Sequence, residues 1–272
     1  MTTIAGERVG AARVARGPLR RFRWGVSDTL TVVQRNLLAY LRIPEALFFS
    51  SVQPIMFVLL FRYVFGGAIH VPGVSYVNYL IPGIFVQTVA FGAVSTSIGL
   101  AEDLQKGLIE RFRALPMARS AVLTGRTVAD LARNVVVVLI ITAVGYAVGF
   151  RIQTNVAAFV AGLLLLLLFA YALSWGFAVI GLSAPNSETA QVMSFPVLFP
   201  LTFASSAFVP VASMPSWLRG FAEHQPVSVV VDAARALMLG GPTASYVWQS
   251  VAWSVGIVVV LAPLAVRRYR RA

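Results

Sequence analysis

The 272 residues are 58% hydrophobic and only 12% charged, whereas soluble domains run at roughly 45–50% and about 25%. A soluble core of this length cannot hide that much apolar surface, but a bilayer can, at about 20 mostly apolar residues per helical span. Cysteine is absent, which excludes disulfides, thiolate metal sites and a Cys nucleophile, and the two histidines, His70 and His224, are too far apart for a His-rich metal cluster.

Residues 1–26 are polar and basic, with Arg8, Arg13, Arg16, Arg20, Arg21 and Arg23. They read as a disordered cytoplasmic tail, its arginines holding the N-terminus inside or touching anionic lipid heads. No apolar stretch of signal-peptide type follows before Arg42, so no cleavable leader is expected. Residues 27–272 read as a single transmembrane domain. Within it, Ser27 or Asp28 caps a helix whose Leu30, Val33, Leu37 and Leu41 share a stripe, ending at Pro44. That pattern suits an amphipathic helix in the cytoplasmic interface, or a short soluble helix that touches only protein.

Six spans are expected next, at about 46–65, 76–100, 134–150, 155–183, 189–209 and 247–266. The third is allowed to start a turn or two earlier. The first contains Gln53 and Pro54, with Arg62 near its far end, and the fifth contains Pro196 and Pro200. A turn through Ala184, Pro185, Asn186, Ser187 and Glu188 separates the fourth from the fifth. With the N-terminus inside, the cytoplasmic segments hold 8, 6 and 4 of the 22 Lys and Arg residues, and the far side holds 4, namely Arg62, Arg151, Arg219 and Arg235. The bias puts both termini in the cytoplasm. The net charge of +12 is thus a signal of membrane orientation, and nucleic acid is not an expected partner.

Several chemistries are missing. The only lysine is Lys106, followed by Gly107, so there is no phosphate-binding G-x-x-x-x-G-K-[ST] loop and no ATPase site in the chain. Glu102, Asp103, Glu110, Asp130 and Glu188 fall at or beyond predicted cytoplasmic ends, and Glu223 and Asp232 in the outer segment. No span centre carries the carboxylate that ion-coupled transporters use. Energy must then enter through a partner, and the longest cytoplasmic loop, 102–120, is the natural entry point. Leu104, Leu108 and Phe112 share one face of a short helix, Glu110, Arg111 and Arg113 project elsewhere, and Pro116 breaks it. Such a helix suits docking into a groove on a soluble protein, and equally a charged loop that only anchors topology.

Other features carry two readings each. Gln53, Gln87, Thr88, Ser95 and Ser97 lie inside spans, where they line a path or, for the hydroxyls, bond their own helix backbone. Gly145 and Gly149 have the G-x-x-x-G spacing of close helix contacts, a spacing common by chance. In the outer segment Pro215 and Pro226 can each start a short helix. Trp217, Leu218 and Phe221 then form an apolar edge beside Arg219, Glu223 and His224. This edge reads as a closure of an exit path or as an interfacial aromatic belt, with His224 a hydrogen-bonded interface residue rather than a ligand.

Three segments, in matching order and spacing, resemble the permeases of ABC type-2 exporters, above all the daunorubicin/doxorubicin-resistance-like subgroup. They are QPIMFVLLFRYVFGGAI (53–69), ERFRALPMARS (110–120) followed by LTGRTVADLAR (123–133), and SAFVPVASMPSWL (206–218) running on through HQPVS (224–228) to Arg235 and the Gly240, Gly241, Pro242 turn. The resemblance covers about residue 30 to the end. It implies an all-α polytopic fold of six spans, an N-terminal interfacial helix, a cytoplasmic coupling helix between spans two and three, and short outer helices that dip back into the membrane. The matching ATPase-coupling positions are Glu110, Arg111, Phe112, Arg113 and Pro116. The outer-gate candidates are Trp217, Phe221, His224 and Arg235. It further implies a second permease copy or a sister permease, and two soluble P-loop ATPase subunits that carry ATP and Mg, with no cofactor in this chain. The expected function is export of a hydrophobic or amphiphilic compound (drug, antibiotic, lipid or glycolipid) across the cytoplasmic membrane. The alternative is an ATP-independent secondary transporter or channel.

Overall fold

Uninterrupted apolar runs between capping residues produce long helices, and eight α-helices make up nearly all of the computed structural model, which describes residues 44–107 and 119–271. Helix α1 (Pro44–Leu59) continues as a π-helical turn, Leu60–Phe65. It is followed by α2 (Tyr76–Gln105), α3 (Arg119–Ala147), α4 (Val156–Gly181) and α5 (Ser187–Phe203). Two short helices, α6 (Ser216–His224) and α7 (Pro226–Leu239), precede the last, α8 (Thr243–Arg271). The expected basic tail, the interfacial helix before Pro44 and the coupling positions Glu110, Arg111, Phe112, Arg113 and Pro116 lie outside the described residues.

Local chemistry sets the starts. Ser75, Asn155 and Asn186 each accept a hydrogen bond from the backbone N–H three residues on, capping α2, α4 and α5. Pro44 opens α1, since a proline in the first helical turn lacks only an N–H that would be unpaired there. Pro226 opens α7 in the same way, and Pro215 stands immediately before α6.

Three expectations need correction. The third helix begins at Arg119 and is apolar enough to cross a bilayer from Thr127, within the two turns allowed before residue 134, and this changes the reading of Asp130. Asp130 therefore does not stand at a wet end. It is only 2% exposed, and its carboxylate accepts a 2.6 Å bond from Thr96 Oγ1 of α2. The fifth helix stops at Phe203 rather than Val209. Ser205 Oγ takes the Thr202 carbonyl at 2.5 Å and accepts from Ala207 N–H at 3.2 Å, so a hydroxyl competes with the helix ladder and the chain turns. The G-x-x-x-G pair is not a helix-packing face: Gly149 lies beyond the end of α3 at φ +104°, with open space where a Cβ would sit.

Helices α2, α3, α4 and α8 are long and apolar enough to cross a membrane. Helix α2 is the central post. Of its most apolar stretch 78% is buried, against 17% for α8, and it packs on α1, α3, α4, α5 and α7. Its start, the end of α3, the start of α4, the turn after α5 and helix α7 share one end of the bundle: Tyr76 Oη donates to Phe208 O, Arg151 N–H to Asn78 Oδ1 and Thr154 Oγ1 to Leu237 O. At the opposite end Leu100 of α2, Trp175 and Leu182 at the end of α4, and Ala265 and Tyr269 of α8 form a separate apolar cluster.

Two glycines let backbones touch the central post. A Cβ on Gly83 would collide with the Ala207 carbonyl, and one on Gly181 with the Ser97 carbonyl. Replacing Gly181 by Leu should destabilise the bundle by about 1–3 kcal/mol or more, as overpacking against a rigid backbone does. Gly220→Ala, where a Cβ meets nothing within 4 Å, should leave the melting temperature unchanged or slightly raised. Thermal unfolding of both variants in detergent checks the contrast; equal melting curves for Gly181→Leu and the parent would refute the contact.

Candidate functional site

The polar residues inside the apolar helices converge. A cleft of about 210 Å³ opens between α1, α2, α3 and α5, lined by Ser50, Gln53 and Pro54, by Gln87, Thr88, Phe91 and Ser95, by Arg133 and Asn134, and by Phe195. Four of the five polar positions singled out in the sequence, Gln53, Gln87, Thr88 and Ser95, meet here. Ser97 does not, because it faces the α4 contact at Gly181. Thr88 Oγ1 bonds its own helix at Ile84 O, 2.7 Å away, so its hydroxyl hydrogen is spent locally.

Arg133 was read from the sequence as one more cytoplasmic charge. It is 8% exposed and reaches across to α2, donating to Ser95 Oγ at 2.8 Å and to the Gly92 carbonyl at 2.8 Å. Gly92 is required for this approach, since a Cβ there would lie 2.5 Å from Asn134 Oδ1 and 3.1 Å from an Arg133 guanidinium nitrogen. The signal that would have found the site is Asp130, Arg133 and Asn134 sharing the face of an otherwise apolar helix, since ionisable groups within a bilayer face the bundle interior. Gln87 differs from its neighbours. It is 2% exposed, and neither its Oε1 nor its Nε2 has a hydrogen-bond partner among the described residues.

From the cleft a column of phenylalanines leads toward the end that carries α6 and α7. Phe195, Phe199 and Phe203 stand one turn apart on α5, with ring centroids 5.4 Å apart at each step. Phe203 stacks on Phe208 at 5.4 Å, and Phe208 on Phe61 of the π-helical turn at 4.6 Å. Phe91 of α2 meets Phe199 edge-on at 6.1 Å.

Arg235 of α7 closes that end. Its guanidinium donates to the carbonyls of Tyr79 (2.9 Å), Ser206 (2.5 Å) and Ala207 (3.1 Å) and to Asp232 Oδ1 (2.9 Å), and it lies 3.5 Å from the Tyr79 ring centre. Asp232 also accepts from Ser206 Oγ at 2.9 Å. This fork ties α7 to α2 and to the turn after α5, supplying donors to carbonyls that the turn leaves exposed. The other three outer candidates lie apart from it on α6. Trp217 is 79% and Phe221 47% exposed, and exposed His224 bonds Gly220 O through Nδ1 at 3.0 Å. Among the described residues no group of three or more His, Asp or Glu is arranged to hold a metal.

A cleft among helices of membrane-crossing length, an aromatic column and a clamped end describe a route for a solute rather than a reaction centre, and comparison with known proteins agrees. Residues 27–239 match the family described as ABC-2 type transporter. The chain is similar, at 36% identity over 90% of its length and 87% of the relative's, to a daunorubicin resistance ABC transporter permease protein of Streptomyces coeruleorubidus. It is 28% identical, over 91% of its length and 90% of the relative's, to a probable doxorubicin resistance ABC transporter permease protein of Mycobacterium tuberculosis. A putative transport permease of Pyropia yezoensis matches at 24% over 84% of this chain and 76% of its own length. The chain therefore belongs to the ABC-2 type transporter family, as a multi-pass membrane permease that moves its solute without catalysing a reaction itself.

Proposed function

We propose that this permease exports hydrophobic or amphiphilic compounds of the drug or lipid type from the cytoplasmic membrane, driven by ATP hydrolysed in two separate P-loop subunits. The observation that carries the reading is the cleft at Gln87 and Arg133 joined to the phenylalanine column, a polar pocket followed by an apolar route toward one end of the bundle. Gln87 stands eleven residues from the start of α2, which at 1.5 Å per residue is about 16 Å, near the middle of a hydrocarbon core of about 30 Å. Amphiphiles can enter such a site from the membrane. The names of two relatives, which are resistance permeases for daunorubicin and doxorubicin, support the substrate class.

We further propose six spans, with α1 and its π turn and α5 joining the four long helices. From Pro44 to Phe65 the first of these contains 22 residues, and α5 contains 17. At 1.5 Å each these cover about 33 and 25 Å, the latter completed by local thinning of the bilayer. Both termini face the cytoplasm, because Lys106 just after α2, the start of α3 and the end of α8 carry the basic residues. The segment between Gln105 and Arg119 then emerges on the cytoplasmic side and holds Glu110, Arg111, Phe112, Arg113 and Pro116, where the ATPase docks. A second permease, identical or a sister chain, completes the pore. Helices α6 and α7 cap the outer end, with the apolar edge of Trp217 and Phe221 seated in the outer leaflet and Arg235 holding the cap shut.

Three experiments follow. Replacing Glu110 and Arg111 together with Ala should leave membrane insertion intact and weaken co-purification of the ATPase subunit about tenfold or more, as loss of a docking hot spot does. Unchanged pull-down and unchanged transport would remove the docking assignment. Lipid-reconstituted complex in which ATP hydrolysis is independent of this chain, or vesicles that respond only to an ion gradient, would overturn the exporter reading itself. Arg235→Met should lower stability by about 2 kcal/mol or more through the unpaired Asp232 and carbonyls it leaves, and should slow substrate-dependent transport while ATPase binding is kept. A variant with parental melting temperature and transport would show that the clamp is dispensable.

A further inference from the structure

Helix α8 touches the bundle along a narrow strip, since only 17% of its most apolar stretch is buried. Beside its first turns an open groove of about 480 Å³ separates it from the last turn of α6. Gln249, Ala252 and Trp253, an i, i+3, i+4 set on one face of α8, line one side. Glu223 and His224 of α6 line the other, with buried Val229 of α7 beneath. Farther along α8, Val255, Val259 and Val260 are exposed. In a bilayer that uncovered surface meets lipid, so an occupant can reach the groove from the membrane. The depth is that of a headgroup. The 20 residues from Val247 to Val266, ending just before Arg267, match a hydrocarbon core of about 30 Å, which puts Gln249 about 3 Å inside its boundary.

The chemistry of the groove selects a cation that donates hydrogen bonds. His224 Nδ1 lies 3.0 Å from Gly220 O. A carbonyl only accepts, so Nδ1 carries the ring hydrogen and Nε2 of the neutral imidazole is left as an acceptor. This end of the bundle carries two carboxylates, Glu223 and Asp232. Asp232 is taken by Arg235 and Ser206. Glu223 has no ion-pair or hydrogen-bond partner among the described residues. Arg219, one turn back on α6, is committed to the carbonyls of Met214 and Ala212 at 2.7 and 2.6 Å. A carboxylate without a partner, an imidazole acceptor and the indole of Trp253 together suit a primary ammonium. The Gln249 amide adds an N–H for an anionic oxygen beside that ammonium. None of the phenylalanines of the column lines the groove, so it lies off the solute route, and its occupant is a resident of the bilayer rather than the exported compound.

We propose that this groove binds the ethanolamine-type headgroup of a membrane phospholipid, with Glu223 holding the ammonium against Trp253 and Gln249 meeting the phosphate. The bound lipid joins α6 to α8. The site is independent of what the permease exports, and only the leaflet that supplies the lipid follows from the orientation proposed above.

The test is thermal unfolding of the full chain in detergent, titrated with dihexanoyl phosphatidylethanolamine, phosphatidylcholine or phosphatidylglycerol. At a tenfold excess over its dissociation constant the ethanolamine lipid should raise the melting temperature by about 3 °C or more. It should bind about tenfold more tightly than the choline lipid, whose methyl groups replace the N–H donors, and more tightly still than the glycerol lipid, which has no cation. Glu223→Gln should weaken the ethanolamine lipid about tenfold, and because Glu223 is exposed its lipid-free melting temperature should stay at the parental value. Trp253→Leu should weaken the same lipid severalfold. Glu188→Gln, which removes an exposed carboxylate at the opposite end, should keep the parental response. Equal stabilisation by the three lipids, or an unchanged response in Glu223→Gln, would overturn the proposal. Protection by decylamine, an amine without phosphate, equal to that by the ethanolamine lipid would overturn the lipid assignment in favour of amines at large.

Discussion

Everything in this bundle depends on how polar groups are satisfied around α2. In a hydrocarbon slab an unpaired donor or acceptor has no water to turn to, so each must be met from a neighbouring helix. Thr96 meets Asp130, Ser95 and the Gly92 carbonyl meet Arg133, Asn78 meets the backbone at Arg151, and Tyr76 and Tyr79 meet the turn after α5 through Phe208 O and Ser206 O. These contacts fix where α3 and the turn after α5 stand. Apolar packing, equally available against lipid tails, cannot fix them alone. Against that background Gln87 is conspicuous, because among the described residues it is the one lining the cleft that is deeply buried and without a hydrogen-bond partner.

The two ends of the molecule are held by different means. The end that carries α6 and α7 is closed by hydrogen bonds, with Arg235 spanning three carbonyls and an aspartate, and with Gln225 Nε2 capping Leu201 O at 2.8 Å. Such a joint is specific in geometry, and it opens when its donors are given water. The opposite end is held by an apolar cluster around Trp175 and Tyr269 together with an exposed Glu102–Lys106 pair at 2.5 Å. Exposed pairs of that kind contribute little, so this end is the softer of the two. It is also the end from which the segment between α2 and α3 emerges.

Much of this was legible in the chain. Apolar run lengths and Lys/Arg placement were enough for an all-helical membrane protein, and Pro215 and Pro226 marked the two short helices before the last. The polar positions Gln53, Gln87, Thr88 and Ser95 stood out inside apolar runs and do meet in one cleft. What escaped was tertiary. Asp130 and Arg133 look cytoplasmic in a charge count, and only the partner helix shows that Thr96, Ser95 and a glycine are placed to receive them. The early stop of α5 depends on a serine competing for a helix carbonyl, a local choice that hydropathy does not register. Gly145 and Gly149 matched a packing motif, yet one of them ends a helix, because spacing carries no information about φ.

The chain contains no cysteine, so a single introduced thiol reports one position without background. Thr88→Cys places it on the cleft wall beside Gln87. The decisive measurement is the rate at which a membrane-impermeant thiol reagent modifies that cysteine in the reconstituted permease–ATPase complex, with ATP and vanadate compared with no nucleotide. A cleft on the transport route predicts that nucleotide changes the rate by about an order of magnitude, the scale expected when a site passes between closed and open populations, and that substrate slows it. A rate indifferent to both nucleotide and substrate would show that the cleft is a static feature of the fold and not part of the path.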